Sequence, residues 1–222
     1  MGTLDGPRIL PVSGTAKQLV ILCHGYGANG NDLIGLAEPW RSLLPDAAFV
    51  SPHAPEPMPV APGGYQWFPM DRSDPMPAAA RGVTSASLIL NEFIDEELDC
   101  FGFDERQLAL VGFSQGTTLA LHVGVRRAVA PAAILAFSGM LAKPEYLQDE
   151  LRVKPPIFLI HGELDPMIPI AALHATVNQL GDAGLTAQWH VSPGVPHNIG
   201  PDGVELGGRF LADSFASATN PA

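Results

Sequence analysis

Hydrophobic runs of strand length recur along the chain at residues 17–24, 47–51, 107–111, 132–137, 156–160 and 186–191, bounded by glycine, proline or polar residues. Between them, apolar residues return at intervals of three and four. Residues 32–44 carry Leu33, Leu36, Ala37, Trp40, Leu43 and Leu44 on one stripe, with Pro45 as the stop. Residues 82–99 set Leu90, Ile94, Leu98 and Phe93 against Asn91, Glu92, Asp95, Glu96 and Asp99, the pattern of an amphipathic helix with a solvated charged face. Further helices are predicted over 117–129, 144–151, 170–183 and 204–216. Strands alternating with helices at this spacing imply a mostly parallel central sheet with helices on both faces, an α/β class.

One stretch breaks the pattern. Residues 52–77 hold eight prolines and few aliphatic side chains, so they are expected to form neither an ordinary helix nor a central strand. They read as a long structured excursion, which in a compact domain is more often functional than decorative. No repeat and no linker divides the chain, and residues 1–222 are expected to form a single domain.

Composition narrows the partners. The 222 residues are 46% hydrophobic and 16% charged, with a net charge of −11, which would repel phosphate backbones and anionic lipid surfaces. Nucleic acid is excluded as an expected partner. No apolar run approaches the roughly 20 residues of a membrane span, and residues 1–14 lack a secretory signal, so no membrane insertion and a cytoplasmic location are expected. Cys23 and Cys100 have neither metal-ligand nor CxxC spacing and read as reduced thiols in a core; no metal and no cofactor is expected.

The chemistry concentrates at Gly112-Phe113-Ser114-Gln115-Gly116, between a predicted strand and a predicted helix. A G-x-S-x-G in that setting is a nucleophile elbow, whose tight turn projects the serine hydroxyl above the sheet and leaves no room for a side chain at either glycine. Without that context, Ser114 would read as a helix N-cap. A serine hydroxyl needs a base and a group to orient it, and both should lie at the carboxyl ends of later strands. Asp165 follows the strand at 156–160, and His197 follows the one at 186–191, giving the chain order Ser, Asp, His. Glu163 is the nearest rival carboxylate. Among the other histidines, His122 and His174 fall in helices, His190 in a strand and His53 in the proline-rich excursion; His24 and His161 each follow a strand and precede a glycine, where hydrogen bonding within a loop is the expected work.

Two N–H donors are needed for the oxyanion of an acyl-transfer intermediate. The amide of Gln115 and that of Tyr26, in the Gly25-Tyr26-Gly27 turn, are the candidates. Gly25, Gly27 and Gly30 also spell a G-x-G-x-x-G after a strand, which would suit a dinucleotide-binding oxidoreductase. The acid expected at the end of the next strand is missing there.

Five blocks in order, Leu22-Cys-His-Gly-Tyr-Gly27, Trp67-Phe68, Gly112-Phe-Ser-Gln-Gly116, Gly162-Glu-Leu-Asp-Pro-Met-Ile-Pro169 and Pro196-His-Asn-Ile199, resemble the small phospholipase/carboxylesterase family of α/β-hydrolases, the group that includes acyl-protein thioesterases. The resemblance covers nearly the whole chain. It implies an α/β-hydrolase fold without a large lid domain, Ser114, Asp165 and His197 as the triad, Tyr26 and Gln115 as the oxyanion hole, and Trp67, Phe68 and Met167 as substrate contacts. Met58 and Met70, flanking the tryptophan block, would add an adaptable wall, or else this group simply covers the sheet. Ala28 stands where the family often has an acid and Pro196 where it often has glycine, which bears on loop shape rather than chemistry. The implied activity is hydrolysis of carboxylic esters of short to medium acyl chain. Alternatives are an acyl-protein thioesterase, a lysophospholipase, or a catalytically dead hydrolase fold that serves as a binding module. The expected partner is a small-molecule ester or thioester, and analogy with such relatives adds a homodimer.

Overall fold

A computed structural model describes residues 4–58, 61–70 and 75–219; parts of the proline-rich excursion therefore lie outside the described residues. Nine strands are present among them: β1 (Arg8–Ile9), β2 (Gln18–Cys23), β3 (Ala47–Val50), β4 (Glu56–Pro57), β5 (Tyr65–Gln66), β6 (Leu108–Phe113), β7 (Ala133–Phe137), β8 (Ile157–Gly162) and β9 (Ala187–Ser192). The helices are α1 (Gly30–Leu33), α2 (Ala37–Trp40), α3 (Pro75–Phe101), α4 (Gln115–Gly124), α5 (Pro144–Glu150), α6 (Ala171–Asp182) and α7 (Pro201–Thr219). Seven strands form one sheet in the order β1-β3-β2-β6-β7-β8-β9, all parallel except the short antiparallel β1 at one edge. β4 and β5 pair separately as a small ribbon inside the proline-rich excursion.

The continuous apolar runs are explained by alternation between two cores. Leu19, Ile21, Leu108, Leu110, Ile134 and Leu159 face one side, beneath α3, α4 and α6. Val20, Leu22, Val111, Leu135, Phe137 and Ile160 face the other, beneath α1, α2 and α7. Each strand residue is thus buried on whichever side it points, as parallel strands covered by crossover helices require. Among the described residues no helix is long and apolar enough to cross a membrane.

Three predicted elements differ. The single helix expected over 32–44 is split into α1, a short 3-10 turn at Ile34–Leu36 and α2. Pro39 falls in the first turn of α2, where its missing N–H leaves no bond unmade, whereas in one continuous helix it would remove an interior hydrogen bond. The amphipathic helix begins at Pro75, inside the stretch expected not to be helical, because prolines at 75 and 77 also fall within a first turn. The helix predicted over 117–129 ends at Gly124. Cys23 is buried as expected; Cys100, near the end of α3, is exposed.

Three histidines, His24, His122 and His161, are buried in this fold. In His24, Nδ1 lies 2.8 Å from the Gly25 carbonyl and Nε2 2.9 Å from the Ala54 amide, so Nδ1 carries the proton and the ring ties β2 to the loop after β3. His122 is buried on α4. Burial pushes His24 and His122 down to about 4, against an ordinary value of about 6.5. Between those two values the unfolded chain binds more protons than the folded one, so stability falls as pH drops through this window and is level above it. Calorimetric melting should therefore show Tm declining from pH 6.5 toward pH 4, with at most roughly 3 kcal/mol lost per histidine. His122→Leu should flatten part of that decline; an unchanged acid limb would locate it elsewhere.

Candidate active site

The turn between β6 and α4 is set by contact with backbone. A Cβ on Gly116 would lie 1.9 Å from the Cys23 carbonyl oxygen, and one on Gly112 would lie 2.5 Å from the Thr117 backbone. Neither position admits a side chain. Ser114, between them, is held at φ 55°, a left-handed conformation unfavourable for a non-glycine residue, and its amide is anchored on the Phe137 carbonyl at 2.9 Å. The same strain recurs next door, at Ser138 with φ 44° just past β7. The hydroxyl of Ser114 consequently stands above the carboxyl ends of the central strands.

Two loops bring the other predicted groups to it. Nε2 of His197 lies 3.1 Å from the Ser114 Oγ, and Nδ1 lies 2.7 Å from Oδ2 of Asp165. Asp165, only 7% exposed, has its other oxygen occupied by the amides of Met167 and Ile168 at 2.8 and 2.9 Å. Burial works against its charge, but the bonds from His197 and from those two amides prevail, and the carboxyl is held below its usual range. An ionised acceptor at Oδ2 fixes the proton on Nδ1, leaving Nε2 free to accept one from Ser114. The imidazole also rests against the Phe113 ring, with centroids 4.9 Å apart.

The remaining loop contacts hold this arrangement rather than join it. Glu163, the rival carboxylate, accepts the Gly194 amide at 2.8 Å and so braces the loop carrying His197. A Cβ on Gly162 would lie 2.3 Å from the Pro196 carbonyl oxygen, so β8 and that loop touch backbone to backbone. His161 holds its own turn, with Nε2 2.8 Å from the Ile168 carbonyl oxygen.

Of the oxyanion candidates, Gln115 occupies the first position of α4, where an amide has no acceptor within the helix. Tyr26 lies in the turn after β2; a Cβ on its neighbour Gly25 would sit 3.3 Å from the Ser114 Cβ. Among the described residues, neither amide has a protein acceptor. The Gln115 side chain has a second job that the sequence did not announce. Its Oε1 accepts the Trp67 amide at 2.9 Å and its Nε2 donates to the Phe68 carbonyl at 2.8 Å, a two-point clamp across 48 and 47 residues. The only sequence signal for it is a long polar side chain directly after Ser114, at the start of the predicted helix.

Of the predicted substrate contacts, two are buried and one is exposed. Trp67 and Phe68 are each 1% exposed and belong to the core beneath α3, with the Trp67 indole donating to the His24 carbonyl at 2.9 Å. The clamp from Gln115 fixes the backbone of this pair against the start of α4. Met58 is also buried, and Met70 is partly buried against the same core. Met167 is 57% exposed, and its contribution to the site is its amide. Gly25, Gly27 and Gly30 are accounted for without a nucleotide: Gly27 has φ 80°, and a Cβ on Gly30 would lie 2.0 Å from the Ser51 carbonyl oxygen. The helix after them is a single turn. Among the described residues no group of three His, Cys, Asp or Glu side chains could hold a metal ion.

Comparison with known proteins agrees with the geometry. The profile of the phospholipase/carboxylesterase family matches residues 4–214. An acyl-protein thioesterase 1 of Saccharomyces cerevisiae is 30% identical, over 96% of this chain and all of that protein. The crystal structure of esterase PE8 superimposes with a TM-score of 0.92 at 41% identity, covering 96% of this chain and 99% of its own. That of a phospholipase/carboxylesterase from Dyadobacter fermentans gives 0.69 at 27% identity, covering 95% and 98%. Since the family match runs through every strand of the main sheet, the chain belongs to the phospholipase/carboxylesterase family of α/β-hydrolases and is an ester hydrolase.

Proposed function

We propose that Ser114 is the nucleophile, His197 the general base and acid, and Asp165 the group that orients His197, in the hydrolysis of carboxylic esters of short to medium acyl chain. The observation that carries this is the continuous relay from Asp165 through His197 to the Ser114 hydroxyl, at 2.7 and 3.1 Å. His197 Nε2 takes the Ser114 proton as Oγ bonds to the ester carbonyl carbon; the imidazolium is stabilised by Asp165, and the amides of Tyr26 and Gln115 hold the oxyanion. Collapse expels the alcohol, protonated by His197. Water, activated by the same imidazole, then releases the acid.

A thioester substrate is the second reading, supported by the acyl-protein thioesterase name of the yeast relative. Matched oxyester and thioester substrates, compared by kcat/KM, decide between them.

Ser114→Ala should lower kcat on p-nitrophenyl acetate by roughly 10⁴- to 10⁶-fold, abolish labelling by a fluorophosphonate, and leave the circular dichroism spectrum unchanged. Retention of near-normal turnover would overturn the assignment. Asp165→Asn should cost roughly 10⁴-fold in kcat, because an amide in that place no longer fixes the proton on Nδ1. A loss below tenfold would show that His197 is oriented by something else.

A further inference from the structure

Beside the relay lies a cavity of about 320 Å³, on the face of the sheet covered by α1, α2 and α7. Its walls are largely apolar, from Ala28, Leu33, Leu36, Phe113, Ile199 and Val204, and Gly35 leaves open space on one side. Phe113 immediately precedes Ser114, and its ring lies tilted against the His197 ring; Ile199 lies two residues past His197. Ser114 and His197 do not themselves line the cavity; it reaches the relay through Phe113, whose ring touches the imidazole, and through Asn198 and Ile199 just past His197.

We infer that this cavity receives the alcohol part of the ester. The inference rests on the triad proposed above. In acylation the Ser114 Oγ–carbonyl bond forms, the bond from the carbonyl carbon to the alcohol oxygen breaks, and the proton taken from Oγ passes through His197 Nε2 to that oxygen. The departing oxygen must lie within reach of Nε2, so the group attached to it extends to the imidazole's side, where the cavity is. The acyl chain, bonded to the same carbon, points elsewhere.

The lining also selects the alcohol's chemistry. His24, at the base, is neutral and has both ring nitrogens occupied. The ionisable group on the wall is the exposed carboxyl of Asp32, which caps α1 by accepting the Asn29 amide at 2.8 Å. An anionic alcohol would meet that carboxylate and the chain's net charge of −11. A compact, uncharged, branched, alicyclic or aromatic alcohol suits the volume and the walls.

The test uses two variants that change the cavity in opposite directions: Leu36→Trp to fill it and Val204→Ala to enlarge it. Each is assayed against acetates of ethanol, isobutanol, cyclohexylmethanol and benzyl alcohol, and against p-nitrophenyl esters from acetate to octanoate, with sites counted by fluorophosphonate titration. Leu36→Trp should lower kcat/KM for benzyl relative to ethyl acetate by about tenfold, and Val204→Ala should raise the cyclohexylmethyl-to-ethyl ratio a few-fold. The octanoate-to-acetate ratio should stay within about twofold of wild type in both. A shift in the acyl ratio instead would make this the acyl chamber, and movement in neither would leave the cavity without a role; either result overturns the inference. Wild-type protein whose Ser114 is not labelled would fail at the earlier step, taking the triad assignment with it. Val204→Ala, a small truncation on a half-buried residue, keeps the comparison open should Leu36→Trp not fold.

Discussion

The close approach of Gly116 to the Cys23 carbonyl is the constraint from which the site follows. Because α4 starts almost in contact with the backbone of β2, the chain leaving β6 has a single residue in which to reverse, and Ser114 takes up the resulting strain at φ 55°. The same contact sets the first amide of α4 beside the turn that follows β2. A candidate nucleophile and two candidate oxyanion donors are thus placed together by a steric requirement on one glycine. The strain persists because the parallel strands on either side, β2 and β7, are themselves held in the middle of a seven-stranded sheet.

The second organising feature is the use of Asp165. One oxygen faces two amides of its own loop and the other faces His197, so the carboxylate meets its buried charge with local backbone while directing the imidazole. Burial alone would favour the protonated form, which could not fix the tautomer. The loop's amides therefore favour the ionised carboxylate that faces the imidazole.

Much of this was legible in the sequence because the informative residues are tied to strand ends. Ser114, Asp165 and His197 each follow an apolar run, and an open parallel sheet gathers such positions at one edge. What was hidden depends on contacts between distant segments. Nothing in the order of residues 67, 68 and 115 shows that the Gln115 amide group would pair with the backbone of the aromatic block and draw Trp67 and Phe68 into the core. The breaking of the 32–44 helix was readable in principle from Pro39, but its apolar stripe continues across the break and masks it. The start of α3 was missed for the opposite reason, since prolines at 75 and 77 look like breakers anywhere except in a first turn.

His197 and Ser114 are 83 residues apart, and His197 is carried by the loop that leaves the edge strand β9. During synthesis the elbow emerges well before the imidazole that faces it. Until the loop after β9 has docked, no imidazole stands beside the Ser114 hydroxyl, so the contact on which its activation would depend is made only once the far edge of the sheet is complete.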